Sequence, residues 1–206
     1  ISTREVQSIL QGFSAPYVHC GVNPAFLNRL KVRPSVRERG GTFVWFFHRS
    51  EIGRQEERRL VAEVAAATGL RPVHLSAWLS INPYLWDVSY YRMMKQMRRA
   101  SFCISDTYHC LINAMAYDTP AIGLGRHAEA QLGTLGDFKK KELFSMLDLG
   151  DSYVEMESAG LDQACVDKIL PIAEAFSGPN SGPERYKVLD QKVHKYRDDL
   201  RRALVN

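Results

Sequence analysis

Two aliphatic hydroxyls, a phenol, a carboxylate and an imidazole fall within five consecutive residues, Ser105-Asp106-Thr107-Tyr108-His109. An imidazole can accept a proton and return it. Placed where a strand ends and a helix begins, it also sits beside free backbone N–H groups and the positive end of a helix dipole, which together favour an anion. Two other loops carry similar chemistry, His48-Arg49-Ser50 and Gly123-Leu124-Gly125-Arg126-His127. In the structural alternative, Ser105 or Asp106 only caps the helix and His109 is a hydrogen-bonded framework residue. Ser105, Asp106 and His109 share one turn and no nucleophile elbow surrounds them, which argues against a hydrolase triad.

The elements that would position these loops alternate. Thr42 to Phe47 is a short, continuous β-branched and aromatic run, as expected of a strand covered on both faces. Gln55 to Thr68 follows with Leu60, Val61, Val64 and Ala67 at helical spacing, and Gly69 stops it. Arg71 to Leu75 reads as a second strand, Val88 to Arg99 as a helix, Ser101 to Ile104 as a strand, Thr107 to Tyr117 as a helix, and Ala121-Ile122 as a strand entered through Pro120. Repeated β-α order implies an α/β fold with a parallel sheet and helices on both faces. Ligands in such sheets bind beyond the carboxyl ends of the strands, which is where all three loops fall.

Beyond Gly136 the pattern becomes helical, with candidates over Lys139 to Leu149, Asp162 to Phe176 and Pro183 to Leu204, separated by Gly150 and by the turn-rich Ser177 to Gly182. In the last of these, Tyr186, Leu189, Val193, Tyr196, Leu200 and Ala203 draw one apolar stripe. Packing of that stripe on the chain's own sheet is the preferred reading, with a missing domain or a second subunit in a homo-oligomer as alternatives. The organisation is thus a polar, Pro-interrupted linker over 1–40, an α/β domain over 41–182, and a C-terminal amphipathic helix over 183–206. A chain beginning at Ile1 is expected to be a piece of something longer, or the product of processing.

The net charge of +4 hides an asymmetry: residues 1–100 hold 15 basic and 7 acidic side chains, residues 101–206 hold 12 and 16. A basic first half favours an anionic ligand or an anionic polymer, although an ordinary solvated surface gives the same count. Nucleic acid is disfavoured, because the basic run from Arg29 to Arg39 lacks interleaved aromatics and no finger, zipper or RNA-recognition signature occurs. The four cysteines, Cys20, Cys103, Cys110 and Cys165, form no C-x-x-C pair, so neither a metal site nor a cofactor is expected from them, and a reducing cytoplasm suits them. No apolar run reaches the ~18–20 residues that a membrane span needs. Gly123 to Ala128 fits G-x-G-x-x-A, but Glu142, at the right distance for a ribose contact, stands in a Lys-rich helical context; the glycines therefore read as a flexible loop from which Arg126 reaches a phosphate. The run Lys139-Lys140-Lys141 reads as a solvated helix start.

From Cys103 through Asp106-Thr107-Tyr108-His109-Cys110, the Ala-containing helix and Asp118-Thr119-Pro120 to Ile122, the chain resembles the polysaccharide pyruvyltransferase family, with its strand, Ser-Arg-Leu-His-Gly-like loop, Ala-rich helix and Pro turn. Ile1 to Ser8, with its Arg4-Glu5 pair, Asn23-Pro24-Ala25-Phe26, and Lys141 to Leu149 look similar to further segments of that family. The resemblance implies a Rossmann-like domain like the C-terminal half of a B-type glycosyltransferase fold. It also implies transfer of pyruvate from phosphoenolpyruvate to two hydroxyls of a saccharide or lipid-linked saccharide, in surface-polysaccharide synthesis at the cytoplasmic face of a bacterial membrane. Carried over, His109 is the acid and base, Arg4 holds the donor's phosphate or carboxylate, and His48, Arg49, Ser105, Asp106, Thr107, Tyr108 and Arg126 line the substrate site. Thr107 stands where the family has the loop Arg and Cys110 where it has Gly. A Thr supplies neither charge nor a bidentate fork, so Arg49 or Arg126 is expected to compensate. The alternatives are the nucleotide-sugar half of a glycosyltransferase and a non-catalytic module for an anionic polymer.

Overall fold

The computed structural model describes residues 41–50, 52–76, 86–126, 135–156, 160–178 and 186–205. The linker reading of 1–40, and with it Arg4, lies outside the described residues, as does His127. Five strands form one parallel sheet: β1 (Thr42–Phe46), β2 (Arg71–His74), β3 (Cys103–Ser105), β4 (Ala121–Arg126) and β5 (Tyr153–Met156), in the order β2-β1-β3-β4-β5. The helices are α1 (Arg54–Thr68), α2 (Trp86–Arg99), α3 (Tyr108–Ala116), α4 (Leu135–Met146), α5 (Gln163–Ser177) and α6 (Lys187–Val205). Successive strand side chains point to opposite faces, which makes two cores. Phe43, Ile104, Ile122, Leu124 and Val154 pack with α1 and α5 through Leu60, Val64, Val166, Ile169 and Phe176. Val44, Phe46, Cys103 and Ala121 face α2, α3, α4 and α6, through Met97, Leu111, Met115, Phe144, Leu189 and Val193. The expected α/β sheet with helices on both faces is what forms.

The apolar stripe of α6 begins on the chain's own core. Tyr186, beside its start, is 2% exposed and donates a 3.0 Å hydrogen bond to the carbonyl of Thr119, and Leu189 and Val193 are buried. Gly69 ends α1 at φ +68° and returns its N–H to the Ala65 carbonyl, a conformation that Gly adopts without the Cβ penalty.

Two readings are corrected beyond the third helix. The strand entered at Ala121 runs to Arg126, so Gly123, Leu124 and Gly125 are buried strand residues and not a flexible loop. A Cβ on Gly123 would stand 2.7 Å from the Phe144 ring, and one on Gly125 would fall on Tyr153. The glycines leave room for two rings, Phe144 and Tyr153, whose centroids are 5.6 Å apart and whose planes are tilted by 39°. Between two of the expected helices, where the sequence reading placed no strand, lies β5, a four-residue edge strand in which Tyr153 and Glu155 alternate with the buried Val154 and Met156.

Candidate functional site

β1 is followed by β2 on one side, while β3 continues the sheet on the other. The carboxyl ends of β1 and β3 therefore flank the point where the winding reverses, and crevices in such sheets open there. The His48-Arg49-Ser50 loop leaves β1, and the Ser105-to-His109 turn leaves β3, so the topology brings together two loops 56 and more residues apart.

Their junction is built around Asp106. Its carboxylate, 1% exposed, accepts hydrogen bonds from the backbone N–H groups of His48 (2.9 Å), Arg49 (2.7 Å) and Ser50 (2.7 Å), and from the Thr107 hydroxyl (3.0 Å). Ser105 adds a second tie: its hydroxyl donates to the Phe46 carbonyl at 2.7 Å and accepts from the Thr107 N–H at 3.0 Å. The anion held by the loop's N–H groups is thus the protein's own carboxylate. Ser105, Asp106 and Thr107, expected to line the substrate site, are tied into the framework here: each of these side-chain polar atoms has a partner in a buried setting. The Ser50 hydroxyl is buried with no hydrogen-bond partner among the described residues.

Arg126 crosses from β4 to the same loop and donates to the Ser50 carbonyl at 3.0 Å. Part of its guanidinium is committed to the framework, and it is only half-exposed. Lys140, which looked like one of three solvated lysines, is buried at 1% exposure. It donates to the carbonyls of Asp106 (2.7 Å) and Leu124 (2.6 Å) and pairs with Asp137 at 2.8 Å. The cation cancels a buried carboxylate and ties α4 to the ends of β3 and β4.

What remains open to solvent are the side chains of His48, Arg49 and His109, with Tyr108 half-buried beside them. His109 is the second residue of α3, ahead of the helical hydrogen-bond ladder, and its ring centroid lies 5.7 Å from that of Tyr108 in an edge-on contact. His74, at the end of β2, lies 4.3 Å from Trp45 and 6.0 Å from Phe46, and the His48 ring stands 6.3 Å from Phe46. The structure thus gathers one exposed cation, an imidazole on each of two adjacent loops and a helix N-terminus at the carboxyl ends of β1 and β3. Of the residues named from the sequence, His109, His48 and Arg49 are the ones left exposed here, while the buried role of Lys140 was not read, although its signal was the i,i+3 spacing from Asp137.

Among the described residues no group of His, Cys, Asp or Glu is placed to hold a metal ion, and no helix is long and apolar enough to cross a membrane. An open groove of about 550 Å³ runs along the outer edge of β5, lined by Lys141, Phe144, Tyr153, Glu155, Lys168 and Ile172. It lies two strands beyond β3 and includes none of the residues just described. No family model, no curated protein and no solved structure matches this chain.

Proposed function

We propose that the chain is the donor-binding, Rossmann-like part of a transferase that moves pyruvate from phosphoenolpyruvate to a saccharide or lipid-linked saccharide, forming a cyclic ketal. One observation carries the reading: His109 stands exposed in the first turn of α3, at the reversal point of the sheet, with exposed Arg49 on the facing loop clamped to the same turn. Thr107 donates its hydroxyl to Asp106, so it does not replace the missing loop Arg. Arg49 is the cation left to hold the donor's phosphate or carboxylate, while Arg126 supports the loop from beneath.

In this reading His109, protonated, gives a proton to the methylene carbon of the enol. Positive charge develops on the neighbouring carbon, one sugar hydroxyl adds there, and a second hydroxyl replaces the phosphate. Of the two hydroxyl protons released, one restores His109 and the other leaves with phosphate, so the sum is one ketal and one phosphate. Arg49 and the N-terminal N–H groups of α3 stabilise the anionic donor.

The test is a thermal-unfolding titration with phosphoenolpyruvate, set beside nucleoside diphosphates. A ligand at a hundred times its Kd adds about 2.7 kcal/mol to the folded state. Phosphoenolpyruvate is expected to raise Tm, and His109→Ala and Arg49→Ala to remove that rise without moving the unliganded Tm, since both side chains are exposed. A response to nucleoside diphosphates alone would replace this reading with a nucleotide-sugar transferase.

A further inference from the structure

From Tyr91 to Arg99 the solvent face of α2 carries four cations and no carboxylate. At 100° per residue, Arg98, Tyr91, Lys95, Arg99 and Arg92 fall within an arc of about 120°, and from 91 to 99 they extend along about 12 Å of helix. All five are exposed, Tyr91 at 71%, with Tyr90 at 40% on the flank. The opposite face, Met93, Met94 and Met97, is buried in the core, so the helix cannot turn its charges elsewhere. None of the four cations has an ion-pair or hydrogen-bond partner among the described residues, whereas Arg59, Lys140, Lys141 and Arg197 are each paired with a carboxylate. The sequence from Tyr90 to Ala100 contains no acidic residue at all.

We infer that this face of α2 docks on an anionic phospholipid surface. Charge complementarity names the chemistry: four unneutralised cations on one arc can all touch a flat anionic plane together. The exposed tyrosines choose a lipid surface over a dissolved polyanion, because an amphipathic ring bordering a cationic face is what settles at the headgroup level. The apolar face of α2 is spent on the core, so the contact is peripheral, reversible and salt-sensitive. This inference rests on the helix face alone and stands whether or not the chain handles phosphoenolpyruvate.

The experiment is co-flotation of the whole chain with vesicles of phosphatidylcholine, with and without about a third phosphatidylglycerol, at rising salt. Binding to the anionic vesicles only, lost by 0.5 M salt, is the expected result, since ions at that strength screen charges within a few ångströms. A Lys or Arg near an anionic surface contributes about 1 kcal/mol, a factor of about five, so Lys95→Gln with Arg99→Gln should weaken binding about 25-fold. Lys139→Gln with Lys168→Gln, on other helices, should leave it unchanged; thermal melts confirm that these surface variants stay folded. Tyr91→Ala should weaken vesicle binding at fixed salt. Equal binding to neutral vesicles would overturn the proposal, as would indifference to the Lys95/Arg99 pair. So would tighter binding of heparin or single-stranded DNA than of vesicles through the same residues, because that would make the face a polyanion site.

Discussion

The Asp106 carboxylate receives a 2.7 Å hydrogen bond from the backbone N–H of Ser50, a residue 56 positions earlier in the chain. With the N–H groups of His48 and Arg49 on the same carboxylate, a strand end acts as the fixed point around which the neighbouring loop is folded. Asp106→Asn keeps the size of the side chain but turns an NH2 group toward donors, leaving buried N–H groups unpaired. Hydrogen bonds to a charged group contribute about 1.5–3 kcal/mol each, and those here share one carboxylate, so a loss of about 3 kcal/mol in urea unfolding is expected. Thermal titration should also show a weaker response to phosphoenolpyruvate, since Arg49 then loses its anchor. A stability change below about 1 kcal/mol would mean that the loop is held by something else.

Lys140 gives a second, independent prediction. Lys140→Met removes the partner of Asp137 and two carbonyl hydrogen bonds in a buried setting, and stranding a buried charge costs about 3–5 kcal/mol. Lys140→Met with Asp137→Asn removes both charges and should be less destabilised than Lys140→Met alone. Additive losses in the double variant, measured by chemical denaturation, would show that the pair does not interact as the 2.8 Å contact requires.

The fold was legible where the physics is local. Thr42 to Phe46 announced a covered strand because every residue of it is apolar or β-branched, and Leu60, Val61 and Val64 announced the buried face of α1. Gly123 and Gly125 misled, because glycine's usual meaning is a turn, whereas here it leaves room for Phe144 and Tyr153, residues 21 and more positions away. β5 was missed because four residues at a sheet edge give only two alternations of a period-two pattern. At the site, His109, His48 and Arg49 were visible as residue types after strands. That Asp106 is consumed by the His48-to-Ser50 backbone was not, since no spacing encodes a contact across 56 to 58 residues.

Gly125→Ala should destabilise the chain by about 1–3 kcal/mol, the usual cost of overpacking, because the new methyl overlaps the Tyr153 phenol. Tyr153→Phe removes the oxygen that comes nearest. The loss from Gly125→Ala is therefore expected to be smaller in the Tyr153→Phe background, by about 0.5–1 kcal/mol, in a double-mutant cycle. Strict additivity would place the overlap elsewhere than the phenol oxygen.

Tyr153 also sets an alkaline limit on stability. Its phenol donates to the Asp137 carbonyl at 3.3 Å, and burial first, then the charges of Asp137 and Glu155, hold its pKa well above the ordinary 10. In the unfolded chain the phenol ionises near pH 10; in the folded chain it keeps its proton to higher pH. Above pH 10 the unfolded state therefore binds fewer protons than the native one, so stability that is fully present below pH 10 declines as pH rises, by at most about 1.4 kcal/mol per pH unit from this group. Tyr153→Phe removes the ionisation while keeping the ring over Gly123 and Gly125. Its urea midpoint should lie slightly below that of the unsubstituted chain at pH 8, from the lost hydrogen bond, and should fall less between pH 9.5 and 11. Parallel declines for the two chains would assign the alkaline loss to other groups and leave the Tyr153 phenol ionising as it does in the unfolded chain.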